Sequence, residues 1–534
     1  PWWDPLDETN DLSYRTKSPT SMLENELMTV YYDGKVVYGT DHDGSGGPSC
    51  WDDIQNRDET DVDCGGTLCD ACYVGEMCIL DSDCLHNDCL NGTCYSDGRS
   101  ALYPSDWTPG FGITRQSDGE DLFLQDYSYA GYRYGEAPLP NDPATVTVSP
   151  SPNDGSADVT SQIQSQLDAV AAAGGGVLYL TPGLYRLDGE LTVGSGVVLR
   201  GAGPDQTKLK FTDARVAITA GGDLNYHDSP GWALSAEAYI FDTYVDVQNA
   251  SGISVGDDIT ISWDITAEFK AEHNSSSYWT HVSLGSQSIF FRRTVTAVDG
   301  NRIHFKVPLR YRAKLRDNPV VRRVTGYATE TGVEYLGINT AMGSPAASWN
   351  SGVNQAKAIS IDSCKHCWIQ HVKSFAMPGE QHHLRSHGIF VVFSNQVTVA
   401  DSQMERAEHL GNSGNGYMFQ ISRSNEVLIK DAVGQYGRHN FSINWDFGAT
   451  GNVFLRVKSI GGRVCDRLQQ QLDGACYIGM SDFHHALATA NLFDTAEIDD
   501  GLAVTNRKEY SVGAGQTGTQ NVFWNITGDG KIYA

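Results

Sequence analysis

Short runs of Val, Ile and Leu recur along the C-terminal half of this chain, each bounded by Ser, Asn or Gly. Ser394-Asn395-Gln396-Val397-Thr398-Val399 returns as Ser424-Asn425-Glu426-Val427-Leu428-Ile429. It returns again, shortened, as Thr450-Gly451-Asn452-Val453-Phe454-Leu455, and Cys364-Lys365-His366-Cys367-Trp368-Ile369 is a looser copy. The copies are offset by 30, 30 and 26 residues. A fixed period of this size marks a solenoid, one coil per copy. Apolar runs punctuated by turn residues predict strands. The predicted fold is mainly β: a right-handed parallel β-helix.

Stacking the coils on this repeat predicts which side chains face in. Ile359, Ile389, Phe419 and Trp445 form one inward column, and Ile361, Val391, Ile421 and Phe447 the next. Alternation then turns Ser360, Phe390, Gln420 and Asp446 outward. On the repeat strand, Val397, Val427 and Val453 are expected to stack inside, with Trp368, Leu428 and Phe454 outward. An apolar outward column marks a contact surface. A shift of parity by one residue would reverse that assignment.

The remaining segments differ in pattern. Residues 1–49 form a polar, aromatic extended segment whose one hairpin signal is Tyr31–Tyr38. Residues 50–98 are cysteine-rich, and 99–157 are a Tyr/Pro-rich connector. Near Asp158 or Thr160 a helix begins, with Ile163, Leu167 and Val170 on one face, and Gly174-Gly175-Gly176 ends it. It reads as a plug over the first coil, whose open end exposes unpaired strand edge. Residues 158–534 carry the β-helix. From about 210 to 330 the coil rhythm is lost, and Asp299-Gly300 signals a hairpin, so an antiparallel β subdomain is inserted there.

Cysteine usage adds a compartment. Cys50, Cys64, Cys69, Cys72, Cys78, Cys84, Cys89 and Cys94 fall within 45 residues. An even number at this density predicts a disulfide module and an oxidising environment. Zinc is the rival, since Cys69 and Cys72 have ligand spacing, but the eight thiols show no four-ligand grouping. Connectivity is open; Cys78–Cys89 with Cys84–Cys94 is the preferred pattern, that of small growth-factor-like modules. Cys364, Cys367, Cys465 and Cys476 lie in the solenoid, and Cys465 and Cys476 are expected to staple one loop. Sequons at Asn91, Asn249, Asn274, Asn440 and Asn525 are candidate glycan sites on a secreted chain. The chain opens Pro1-Trp2-Trp3 without an apolar signal, as a processed product would.

The net charge of −28 argues against nucleic acid and anionic membrane surfaces as partners. There is no apolar run long enough for a membrane span. No cofactor is implied. Acidic Asp58–Asp63 could hold calcium but lacks the spacing and glycine of an EF-hand loop. The loops after the repeat strand hold Glu380, His382, His383, Arg385, His387, Glu405, Arg406, Glu408, His409, Arg438, His439, Asp466, Arg467, Asp482, His484 and His485. A uronate lyase needs a cation for the carboxylate and a base for the adjacent proton. Arg385 or Arg438 could neutralise, and His439 or Tyr417 could take the proton. The bland alternative is that these groups only pair among themselves. The His-His pairs lack a metal-ligand pattern.

Val159–Gly203, with its helix, Gly-Gly-Gly, Pro-Gly and Leu-Arg-Gly-Ala-Gly, resembles the pectate-lyase-like β-helix superfamily, which implies the fold but not an activity. Cys50-x13-Cys64-Gly65-Gly66, Gly437–Asn440, Asp482–His485 with Ala490–Leu492, and Ser511–Gly518 resemble the shaft proteins of tubular flagellar hairs, the mastigonemes, and sexually induced surface proteins of stramenopile algae. That resemblance implies an extracellular, disulfide-bonded, glycosylated structural subunit at a cell or flagellar surface, with no catalytic residues to carry over. Strand edges open at a coil end and the outward apolar column lead to the expectation of head-to-tail self-assembly into a filament. A secreted polysaccharide lyase and a carbohydrate-binding wall protein are the alternatives.

Overall fold

The structure, a computed structural model, describes residues 125–533 except 214, 228–230, 343–354, 412–413 and 466–475. Before residue 125 it describes parts of 29–36, 55–94 and 113–122. Asp58, Asp63, Cys50, Asp466 and Arg467 lie outside the described residues, so the calcium expectation does too.

Parallel strands stack coil upon coil. One face runs Cys364–Ser374, Asn395–Ala400, Leu428–Lys430, Val453–Leu455, Leu492–Asp494 and Val522–Trp524. A second runs Leu191–Val193, Val216–Gly221, Lys357–Asp362, His387–Val392, Tyr417–Ser422, His439–Ile443, Ser481–Phe483, Leu502–Ala503 and Ile532–Tyr533. The molecule is a right-handed parallel β-helix, the hand that parallel strand connections take. Its core is a continuous apolar stack from Ile163 to Ile526. The helix Thr160–Ala172 buries Ile163, Leu167 and Val170 against the first coils, and Asp158 Oδ1 accepts the Thr160 amide at 2.9 Å.

The repeat is a corner. The third residue of each copy takes a left-handed φ: His366 at 57°, Gln396 at 55°, Glu426 at 50°, and the corners continue with Gly451 at 68°, Ala490 at 52° and Gln520 at 55°. This corner sets the register, and it overturns the letter-by-letter alignment. Gly451 matches Glu426, so the coil offset is one residue shorter than the repeat suggests. Val453 pairs with Leu428 and Phe454 with Ile429. Phe454 is therefore inside, stacked on Phe493 at 4.2 Å, and Val453 joins the outward column instead of Val397 and Val427. Asn452 takes the inward place of Val427. Its Nδ2 donates to Asn491 Oδ1 at 2.8 Å, and Asn491 Nδ2 donates to Asn521 Oδ1 at 2.9 Å. This ladder satisfies polar groups that the core would otherwise strand. We expect Asn491→Ala to cost about 1–3 kcal/mol in chemical denaturation.

The second face is displaced too, there by four residues. Phe419 pairs with Phe441 and Ile421 with Ile443, so Trp445 and Phe447 are not in the inward columns. Phe447 belongs to the core of the insert, and the outward place expected for Asp446 is filled by Ser442 and then Asp482.

The antiparallel strands of the insert run from Asn225 to Thr325. Thr207–Phe211 and Val216–Gly221 still belong to coils, so the insert begins later than 210. Trp263 stacks on Phe290 at 3.6 Å within its aromatic core. The insert meets the solenoid at Glu426, which is fully buried between Arg293 (3.4 Å) and Arg310 (3.3 Å).

The outward apolar column is covered by the chain's own connector. Tyr132 packs edge-on against Trp368 at 5.6 Å and donates its amide to Thr398 Oγ1 at 2.8 Å. Gly131 has φ 103°, and a Cβ there would stand 3.1 Å from Leu428. Trp368 is 1% exposed and donates its indole N–H to Glu334 at 2.9 Å. The last coil is also covered: Thr29 and Val30 pair in parallel with Val522 and Phe523, and the Tyr31–Tyr38 hairpin signal falls where Thr29–Tyr32 pairs antiparallel with Lys35–Val36. The apolar contact surface expected on the outside of the coils is thus occupied within the chain itself.

The cysteine-rich unit, residues 13–20 and 38–126, has a core of half-cystines. Cys64 is bonded to Cys72, Cys78 to Cys89 and Cys84 to Cys94; Cys69 is disulfide-bonded as well. In the solenoid Cys364 joins Cys367 and Cys465 joins Cys476. Asn91, Asn249 and Asn274 are exposed or nearly so, and Asn525 is half-buried. Asn440 is not a usable glycan site in this fold. It is fully buried, and its Nδ2 donates to Asp500 Oδ2 at 2.7 Å.

Candidate functional site

Three successive coils of the second face open with aromatic, proton-carrying residues: His387, Tyr417 and His439. Their rings are in contact, His387 stacked on Tyr417 at 5.3 Å and Tyr417 tilted against His439 at 4.9 Å. The next coil adds Asp482 and His484, and the His484 ring lies 5.2 Å from His439 and 5.9 Å from Tyr417. Arg507 reaches in from the following loop, donating to the His484 carbonyl at 3.0 Å and lying 3.5 Å from Asp482 Oδ2.

His439 is oriented for a proton-accepting role. Its Nδ1–H donates to the Met480 carbonyl at 2.6 Å, with Asp482 Oδ1 at 3.4 Å. That fixes the tautomer and leaves Nε2 as the lone-pair nitrogen. Nε2 is buried and has no hydrogen-bond partner among the described residues. Burial pushes the imidazole down to about 3, so it is neutral at neutral pH. Burial holds the Tyr417 phenol above its ordinary value, so it keeps its proton. Arg438 is the second unusual group. It is 9% exposed and donates to the Gly411 carbonyl at 3.3 Å. Its Nε–H is unpartnered, and no described carboxylate lies within 4 Å. A buried guanidinium without a counter-ion is a seat for an anion.

Of the residues singled out from the sequence, Tyr417, Arg438 and His439 converge, and Asp482 and His484 join them. Arg385 does not. It is 2% exposed and paired with Glu408 at 3.0 Å, which also accepts the Met342 amide. Arg507 carried no sequence signal: it belongs to no repeat copy. The group His439, Asp482 and His484 has the composition of a metal site, with ligand atoms within 4.8 Å of one another. Both Nδ1 atoms are engaged: that of His439 carries the proton given to Met480, and that of His484 lies 2.6 Å from Asp482 Oδ2 and 2.6 Å from Arg507 Nη1. A cation there would face a guanidinium, so the geometry favours proton handling over metal binding.

These neutral imidazoles make the fold acid-sensitive. His273 is pushed by burial to about 4, and His387 and His439 to about 3, from 6.5. Between about 6.5 and 4 the unfolded chain binds protons that the folded chain refuses, so their contribution is complete above 6.5 and falls as pH falls. Asp500, raised by burial to about 6, opposes them, because the folded state then holds the extra proton. At about 1.4 kcal/mol per group and pH unit, these three imidazoles less Asp500 are expected to cost about 3 kcal/mol per unit between pH 6 and 4, and His409 and His485, each also lowered by burial to about 4, add to that loss. Urea titrations across that window should show it.

An open concavity of about 470 Å³ on the insert, lined by Ser235, Asp246, Gln248, Asp299, Asn301 and Arg302, shares no residue with this cluster.

No family model matches the chain. Over 67 residues it is 45% identical to mannuronan C5-epimerase AlgE3 of Azotobacter vinelandii, covering 11% of this chain and 4% of that protein. Over a stretch of the same length it is 42% identical to alginate lyase 7 of the same organism, covering 11% and 8%. The matches thus span a small fraction of these curated relatives. Among solved structures, the gp54 tailspike of Acinetobacter baumannii bacteriophage AP22, in complex with capsular saccharide, aligns with a TM-score of 0.44 and 13% identity, covering 71% of this chain and 56% of that one. The catalytic domain of a GH87 α-1,3-glucanase aligns with a TM-score of 0.35 and 11% identity, covering 73% and 47%.

Proposed function

We propose that this chain is a secreted β-helix enzyme that removes the C5 proton of a uronate residue in an acidic polysaccharide. The observation that carries the reading is the pairing of a buried Arg438, with no carboxylate partner among the described residues, with a neutral His439 whose Nε2 has no hydrogen-bond partner among them. Arg438, with Arg507 nearby, receives the uronate carboxylate and acidifies the adjacent C5–H. His439 Nε2 takes that proton, and the electron pair moves into the carboxylate. In elimination the C4–O4 bond then breaks, a C4=C5 double bond forms, and the Tyr417 hydroxyl protonates O4. Reprotonation of C5 from the opposite face would instead give epimerisation. The short match to mannuronan epimerases and an alginate lyase supports the substrate class. Five disulfides among the described residues support an oxidising, secretory compartment, and no described helix is long and apolar enough to cross a membrane. Substrate entry requires the backbone at Gly411 and Gly416 and that at Arg507–Ser511 to give way, since both close over the cluster.

Trp368 and Leu428 are covered by Tyr132 and Gly131 and Phe454 is inside, so the apolar column expected on the outside of the coils is not a free surface of this chain. The test is incubation with alginate, pectin and ulvan in deuterated water. Unsaturated sugar ends absorbing in the near ultraviolet mark elimination, and deuterium at C5 marks epimerisation. Neither product from any of the three would overturn the reading.

A further inference from the structure

One large aromatic side chain beside this cluster is turned to solvent. Trp445 is 42% exposed, although Asn444 and Phe447 on either side of its turn are buried. Trp445 has φ 56° and Asp446 φ 67°. Two consecutive non-glycine residues in the left-handed region are strained, and such strain persists only where the surroundings impose it. Here they do. Phe447 is anchored in the aromatic core of the insert. Asp446 pairs with Arg423 at 2.8 Å, and Ser422 Oγ donates to the Trp445 carbonyl at 2.9 Å.

One face of the Trp445 indole lies on the His485 ring, centroids 4.1 Å apart and planes 14° apart. His281, from the insert, meets it edge-on at 5.7 Å. Both His281 nitrogens are buried without a hydrogen-bond partner among the described residues; Asp446 Oδ1 lies 3.8 Å from Nε2. The His485 ring in turn lies 5.1 Å from His484, which packs on His439. An unbroken line of rings therefore connects the exposed indole to the proton-accepting histidine.

We propose that Trp445 is a stacking platform for a pyranose ring of the polysaccharide, seating the sugar next to the one that reacts. A pyranose offers an apolar C–H face to an indole and a rim of hydroxyls to polar neighbours. Asp446 and Arg423 supply that rim here. A lone exposed indole among polar groups is the wrong shape for a protein-docking patch, which is contiguous and apolar. The platform deepens the uronate reading and rests on it for the identity of the chain that is seated.

The experiment uses the full chain, an oligomannuronate hexasaccharide and a neutral cello-hexasaccharide, with binding read by calorimetry and turnover measured in parallel. Trp445→Ala is expected to weaken hexasaccharide binding, or raise KM, roughly tenfold. Trp445→Phe should restore most of the loss, and an unchanged Tm shows that the exposed site was altered without unfolding. His439→Ala should leave hexasaccharide binding intact while turnover stops. Binding that depends on Trp445 without any turnover would keep the platform and sink the uronate chemistry. Turnover with KM unaltered in Trp445→Ala would sink the platform and keep the chemistry. No binding of either hexasaccharide by the unaltered chain would overturn the platform.

Discussion

Replacing His439 with Ala is expected to lower turnover of uronate polymer by about 10²–10⁴-fold, the range that a positioned general base supplies. KM should move little, because the ring touches the reacting proton and not the carboxylate. The reason lies in the contacts of the ring: Nδ1 is held by the Met480 carbonyl at 2.6 Å, which leaves Nε2 as a fixed acceptor. His439→Gln keeps bulk and polarity but cannot accept and carry the proton, so it should be equally slow. Arg438→Ala should behave differently. It removes the counter-charge that both binds the carboxylate and stabilises the carbanion, so KM should rise and kcat fall together. Steady-state kinetics on a defined oligouronate separate the two signatures. Unimpaired turnover in the His439→Ala variant would remove His439 from the mechanism.

The second large effect is expected in stability. Glu426→Ala should destabilise the fold by about 3–5 kcal/mol, because it leaves the Arg293 and Arg310 guanidinium groups buried without their counter-ion. Both lie within 3.4 Å of that carboxylate, and each is 1% exposed at the side chain. Glu426→Gln keeps the shape and removes the charge, and should fall close to the Ala variant if charge compensation dominates. Denaturant unfolding followed by Trp fluorescence measures both. Since the triad joins insert to solenoid, the loss should broaden the transition as the two lose their coupling.

The repeat by itself determined the architecture. Ser394–Val399 and Ser424–Ile429 carry the two requirements of a coil: apolar alternation for a packed interior, and a residue at the corner that tolerates left-handed φ. The helix at Thr160–Ala172 was equally legible, since Ile163, Leu167 and Val170 share one face, and Asp299-Gly300 marked the hairpin of the insert. Three members of the site, Tyr417, Arg438 and His439, were legible because the chemistry of uronates asks for those types together.

The rest depended on distance along the chain. A match of letters put Val453 under Val427. The corner at Gly451 decided otherwise, because stacking follows backbone conformation rather than residue identity, and one residue of slip exchanges inside for outside. Phe454 went into the core for that reason; Trp445 left its expected column because the second face is displaced by four residues, which puts Phe441 next to Phe419. Asp482 meets Ser442 from 40 residues away, across the loop stapled by Cys465–Cys476, and Arg507 arrives from a further loop. No local pattern encodes such meetings, because loop lengths set which coils face one another. Tyr132 on Trp368 is the same case at longer range: the outward aromatic was readable, but its cover came from the connector, which only the folded chain brings back across the coils.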